Sequence, residues 1–185
     1  MSIATTVIAD RVFSRSLATN ISLIFAGAAI TAIAAQIQVP MWPVPMTMQT
    51  LAVLLVGAAL GAKRGALSLS LYLALGAAGL PVFASAKSLT GVIPTAGYLV
   101  GFVAAAALVG FLASKGFSAT PIKMAFSFAL GSIVIYGFGV SGLMLALGLD
   151  LTTAVSVGVI PFLIGDVLKA AAAAALLPVA WKLVK

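Results

Sequence analysis

Asp166 and Lys169 stand three residues apart in a stretch that is otherwise hydrocarbon: Val157-Gly-Val-Ile-Pro-Phe-Leu-Ile-Gly-Asp166-Val-Leu-Lys169, followed by alanine from 170 to 175. On a helix, positions i and i+3 share a face, so the two charges can meet. A carboxylate accepts N–H donors, and an ammonium donates to a carbonyl or pairs with an acid. A charge at the centre of a bilayer costs roughly 2.5–3.5 kcal/mol on insertion scales. Two readings follow. Either the pair neutralises itself and helps to pack the interior, or it forms a polar site facing that interior. Gly165 next to Asp166, and Pro161 a turn earlier, leave room for a ligand or a neighbouring helix to come close.

Other polar residues could join it. Pro40, Pro43 and Pro45 stiffen the stretch before Thr47-Met-Gln49 and prevent a helix from running through it. This stretch is either a rigid turn or a wall that brings Trp42, Thr47 and Gln49 over a pocket. A buried Gln49 needs hydrogen-bond partners, and a ligand can be one. Ser85 and Lys87 lie in the longest outer connection, Pro81 to Pro94, which is either an access gate or a solvated linker. Thr95 and Tyr98 offer hydroxyls at i and i+3 where the next helix opens after Pro94.

The elements that must position these groups follow from composition. The chain has 185 residues, 63% hydrophobic and 7% charged, where a soluble domain has about 25% charged. It reads as an all-α, multi-pass membrane protein. Residues 1–16 form a short cytoplasmic arm, and residues 17–185 a single transmembrane domain. Breaks in the apolar text leave six spans, at about 17–36, 46–61, 65–80, 94–113, 122–148 and 152–178. The fifth carries Gly131, Gly137, Gly139 and Gly142, which predicts a kink or break. No cleavable signal peptide is expected, because the first apolar run is too long.

Charge sets the orientation. Arg11, Arg15, Lys63, Arg64, Lys115, Lys123, Lys182 and Lys185 fall on one side of this topology and only Lys87 on the other, so both termini are expected to be cytoplasmic. The net charge of +7 is this topology signal and calls for no nucleic acid. With no histidine, no cysteine and three carboxylates, no metal, no cofactor and no enzymatic chemistry are expected. Gly61-Ala-Lys63-Arg64 lacks the spacing and hydroxyl of a phosphate loop, so uphill transport would draw its energy from a partner. Small residues at Ala28 and Ala32, Gly57 and Gly61, and Gly97 and Gly101 would let helices approach closely.

The runs Val44-Pro-Met-Thr-Met-Gln-Thr-Leu-Ala-Val-Leu-Leu55, Arg64-Gly-Ala-Leu-Ser68 and Leu80-Pro-Val-Phe83 resemble the bacterial biotin transporter family BioY. So do Pro94-Thr-Ala-Gly-Tyr-Leu-Val-Gly-Phe102 and Pro161-Phe-Leu-Ile-Gly-Asp-Val-Leu-Lys-Ala170. The resemblance implies the substrate-binding S-component of an energy-coupling factor (ECF) transporter in the bacterial cell membrane. It implies a six-helix bundle that binds biotin on its outer side. Its partners would be a transmembrane coupling subunit and a pair of ABC ATPases, and a homo-oligomer is open to the isolated chain. Asp166 and Lys169 would contribute polar contacts to biotin, with Gln49, Tyr98, Thr95, Ser85 and Lys87 as further contacts. Ser85 to Thr90 is less glycine-rich than the corresponding family segment, and Ala96 stands where many members have glycine. Ala28 and Ala32 fit the family's small-residue surface for docking the coupling subunit. The alternatives are an S-component for another vitamin and a stand-alone secondary transporter.

Overall fold

A computed structural model describes residues 7–89 and 94–184. Residues 1–6 of the expected arm, 90–93 of the Pro81–Pro94 connection, and Lys185 lie outside the described residues. In chain order the helices are α1 (Ile8–Val12), α2 (Leu17–Gln36), α3 (Gln49–Leu60), α4 (Ala62–Ala77), α5 (Ala96–Ser114), α6 (Pro121–Leu147), α7 (Leu151–Gly158) and α8 (Leu163–Leu183). Two short strands, β1 (Gln38–Val39) and β2 (Met46–Thr47), pair antiparallel between α2 and α3, with Gln38 opposite Thr47 and Val39 opposite Met46.

Sequence chemistry sets the boundaries. Ser16 caps α2, its hydroxyl accepting from the Thr19 N–H at 3.0 Å. Gly61 adopts φ +87 between α3 and α4, a conformation that costs other residues dearly, so the chain reverses with no spacer. The glycine spacings are closure points between helices. A Cβ on Gly57 would lie 2.5 Å from the Ala106 carbonyl oxygen, locking α3 to α5. A Cβ on Gly97 would lie 2.8 Å from the Gly142 Cα, locking α5 to α6. Helix α5 therefore sits centrally, against α3, α4 and α6. Its residues Leu99, Phe102, Ala105, Ala106 and Val109 are buried in the common core with Leu54, Leu69, Phe128 and Leu143.

Several expectations are corrected here. The second helix of the expected set starts at Gln49 rather than 46, because Met46 and Thr47 are committed to the hairpin. The fifth is unbroken from Pro121 to Leu147, with Gly131, Gly139 and Gly142 serving as notches for neighbours and Gly137 facing open space. The break falls in the sixth, which divides into α7 and α8 around a 3₁₀ turn at Ile160–Phe162. Pro161 has no N–H to donate, and the Phe162 N–H bonds to the Val159 carbonyl at 3.0 Å instead.

Among the described residues, four helical stretches are long and apolar enough to cross a membrane: 17–36, 96–114, 121–147, and 151–183 taken through its break. Helices α3 and α4, of 12 and 16 residues, are shorter than the roughly 20 that a span needs.

Residues 7–16, ahead of α2, pack against the bundle. Val7 and Ala9 are buried, and Val7 packs on Gly61. Asp10 forms an ion pair with Arg64 of α4 and another with Arg15, and Arg11 stacks 5.0 Å above the Trp181 ring near the end of α8. Trp181 in turn donates to the Ser118 hydroxyl at 3.0 Å. These contacts gather the basic residues at one end of the bundle.

Candidate ligand-binding site

At the opposite end, a cavity of about 50 Å³ lies among α3, α5, α6, α8 and the two connections above them. Val44 and Pro45 of the hairpin loop, Phe83, Leu99, Phe102, Ile135 and Phe162 give it apolar walls. Its polar lining is Thr47, Gln49, Thr50, Thr95, Tyr136, Asp166 and Lys169.

The break at Pro161 positions the charges. Because α8 starts afresh at Leu163, Asp166 falls in a first helical turn, where the macrodipole favours a negative charge. Asp166 and Lys169 are buried, at 8% and 7% exposure. Lys169 Nζ donates to Asp166 Oδ1 at 3.0 Å and to Thr50 Oγ1 at 2.8 Å. Tyr136 donates to Asp166 Oδ2 at 2.6 Å, and the Thr50 hydroxyl lies 3.4 Å from Oδ1. Three helices thus converge on one buried ion pair. The carboxylate keeps lone pairs, and the ammonium one proton, beyond these contacts. Both members can serve a ligand without separating. Gly165 allows this crowding: a Cβ there would lie 2.8 Å from Met46 Sδ, so the hairpin rests directly on the start of α8.

The other sequence candidates divide. Gln49 lines the cavity and is buried, but its Nε2 donates to the Tyr72 hydroxyl at 2.7 Å and its Oε1 accepts from Thr47 at 3.1 Å. Tyr72 passes the chain on to the Val82 carbonyl at 3.1 Å. Thr95 lines the cavity with its neighbour Tyr98, whose ring forms wall while its hydroxyl donates to the Gly158 carbonyl at 2.7 Å. Tyr98 therefore braces α5 against α7.

Ser85 and Lys87 are exposed and outside the cavity lining. Ser85 accepts from Gln38 Nε2 at 2.7 Å. Trp42 is 80% exposed and is not among the cavity's lining residues, where Val44 and Pro45 form the wall instead. Ala28 is buried in the core and Ala32 is half-buried, so this pair turns toward the interior of the bundle. The reason is Gly27, where a Cβ would lie 2.5 Å from Ser68 Oγ of α4.

The connection over the cavity is tightly built. Phe83 bonds back to the Lys87 carbonyl at 2.9 Å, and its ring packs on Gly76 and edge-on to Tyr72 at 5.3 Å. Ser85 and Ala86 adopt φ +61 and +53, left-handed values that cost non-glycine residues of order 1 kcal/mol each. Gln36 holds this turn from below: its Nε2 donates to the Phe83 carbonyl at 3.1 Å and its Oε1 accepts from the Ala86 N–H at 3.2 Å.

Sequence reasoning missed Tyr136 and Thr50. A signal for Tyr136 was present. The chain has three tyrosines, and a tyrosine within an apolar helix must satisfy its hydroxyl. All three reach polar groups around this end of the molecule.

Comparison with known proteins supplies a family. The chain is similar to the biotin transporter BioY of Thermotoga maritima, with 39% identity over 79% of this chain and 86% of that protein. It is similar to the biotin transporter BioY of Rhizobium etli, with 39% identity over 72% and 76% of the two chains. It also resembles the probable biotin transporter BioY of Pyrococcus horikoshii, with 37% identity over 84% and 92%. Its fold matches the crystal structure of the S-component for biotin from an ECF-type ABC transporter at a TM-score of 0.79 and 22% identity, over 89% of this chain and 92% of that one. The model of the BioY family matches residues 5–185, nearly the whole sequence, and the chain belongs to that family.

Proposed function

We propose that this protein captures biotin in the cavity around Asp166 and Lys169, as the S-component of an ECF transporter whose separate ATPase subunits drive release. The observation that carries the reading is the buried ion pair that opens onto an otherwise apolar cavity, in a chain of the BioY family. Biotin offers two ureido N–H donors, a ureido carbonyl, an apolar bicycle and a carboxylate. The carboxylate of Asp166 accepts N–H groups, the ammonium of Lys169 donates to oxygen, and Phe83, Phe102, Ile135 and Phe162 cover the bicycle. The protein itself performs no chemistry on the ligand.

The cavity has room for a few waters rather than for biotin. Entry therefore requires the Phe83–Lys87 turn, or the hairpin loop of Val44 and Pro45, to draw back. In the membrane, α2, α3, α4, α5, α6 and the α7–α8 pair form six spans of one transmembrane domain, the short α3 and α4 crossing where the bilayer thins locally, with residues 1–16 and the basic end on the cytoplasmic side. A transmembrane coupling subunit and a pair of ABC ATPases complete the transporter.

Titrating the purified protein with biotin tests this directly. Near-stoichiometric binding without nucleotide is expected, competed by neither thiamine nor riboflavin. Loss of binding in Asp166→Asn/Lys169→Ala would support the site. Unchanged affinity in that variant would rule the site out, and competition by another vitamin would change the ligand.

A further inference from the structure

A furrow runs down the outside of the bundle between α2 and α4, far from the candidate ligand site. It consists of two surface hollows, of about 510 and 390 Å³, that share Ile21, Ile24 and Leu67. From Lys63 to Ala74 on α4 its length is about 16 Å at the helical rise. The two ends differ in chemistry. The lower part is lined by Phe25, Leu71 and Ala74, with Ser70 the one hydroxyl. The upper part, at the basic end of the bundle, carries Arg15, Lys63 and Arg64 against one carboxylate, Asp10.

These cations are not equivalent. Arg64 is held in place: its side chain is 15% exposed, and it bonds to Asp10, to the Asn20 Oδ1 at 3.3 Å and to the Leu60 carbonyl at 2.9 Å. Arg15 has a 70% exposed side chain and one bond to Asp10. Lys63 is exposed and has no hydrogen bond or ion pair among the described residues. No side chain caps the N-terminus of α4 beside them. The mouth of the furrow therefore carries an excess of two positive charges, directly above a strip of hydrocarbon.

We infer that this furrow seats an anionic phospholipid, its phosphodiester at Arg15 and Lys63 and one acyl chain along Ile21, Ile24, Leu67 and Leu71. An apolar helix from another protein would fill the strip but leave the excess positive charge at its mouth unmatched. An anionic lipid satisfies both ends, because basic residues at the membrane surface attract its headgroup while its chain covers the apolar wall. The inference rests on the membrane reading and is independent of which ligand the cavity takes.

The test uses the purified full chain in a neutral detergent, titrated with phosphatidylglycerol, phosphatidylcholine or glycerol 3-phosphate while thermal unfolding is followed. Phosphatidylglycerol should raise the unfolding temperature saturably and the other two should not. At roughly 1 kcal/mol per basic residue, Arg15→Gln/Lys63→Gln should need about tenfold or more phosphatidylglycerol for the same effect. Ser70→Trp, which fills the strip without touching the charges, should weaken the lipid effect as well. Biotin titrations on the same preparations should be unchanged, so failure of the lipid site and failure of the ligand site are separable. Equal effects of the two phospholipids, an unaltered response in both variants, or a full response to glycerol 3-phosphate would overturn the inference.

Discussion

Asp166 and Lys169 form a cluster in which removing one member is worse than removing both. Asp166→Ala leaves Lys169 buried with Thr50 as its remaining partner, and stranding a charge in this way costs about 3–5 kcal/mol. Replacing both charges, as Asp166→Leu/Lys169→Met, keeps volume and removes the stranded charge, so stability should return to near that of the parent. Thermal unfolding in detergent should therefore rank the single variant well below the double one. Biotin binding should be lost in both. A double variant that folds and still binds would show that the two charges serve packing alone. The positions of Asp166 and Lys169 could be read from sequence because charges in a hydrocarbon run are conspicuous. Thr50 escaped because it is ordinary in its own helix, and Tyr136 because its sequence does not say which partner its hydroxyl reaches. They matter only where three helices meet, and that convergence is set by packing at long range.

At the level of elements, glycine and proline divided the work in a way the sequence left ambiguous. Gly131, Gly139 and Gly142 looked like weaknesses in α6, yet a Cβ at each would strike Leu54, Tyr98 or Gly97. They are notches for neighbouring helices, and α6 runs straight through them. The true interruption lies at Pro161, hidden because the apolar run continues on both sides of it. Helix breaks depend on which backbone donor is missing, whereas hydropathy reports only what surrounds it. The contrast is testable with two variants. Gly97→Leu must push α5 away from Gly142 and should cost about 1–3 kcal/mol or more, misplacing Thr95 and Tyr98 along with it. Gly137→Ala faces open space and should be neutral or stabilising by about 1 kcal/mol, since alanine favours helix. Equal unfolding temperatures for the two variants would contradict the packing account.

For the whole molecule, the orientation depends on charge counting, and the chain offers a clean way to check it. It has no cysteine, so single cysteines can be placed at will. Ala78 and Ala119 are exposed on opposite ends of the bundle. A membrane-impermeant maleimide added to intact cells should label Ala78→Cys and leave Ala119→Cys unlabelled until the membrane is opened. The reverse pattern would invert the topology. The two ends are also joined mechanically, through α2. At the basic end Asn20 accepts from Arg64, and at the other end Gln36, the last residue of α2, and Gln38 just past it hold Phe83, Ala86 and Ser85 through three hydrogen bonds. The roof of the cavity is tied both to this rod, some 30 Å long, and to Tyr72 and Gly76 of α4. If α2 tilts, it either carries the roof with it or tears those bonds, so a push delivered at the basic end reaches the mouth of the cavity without passing through the core.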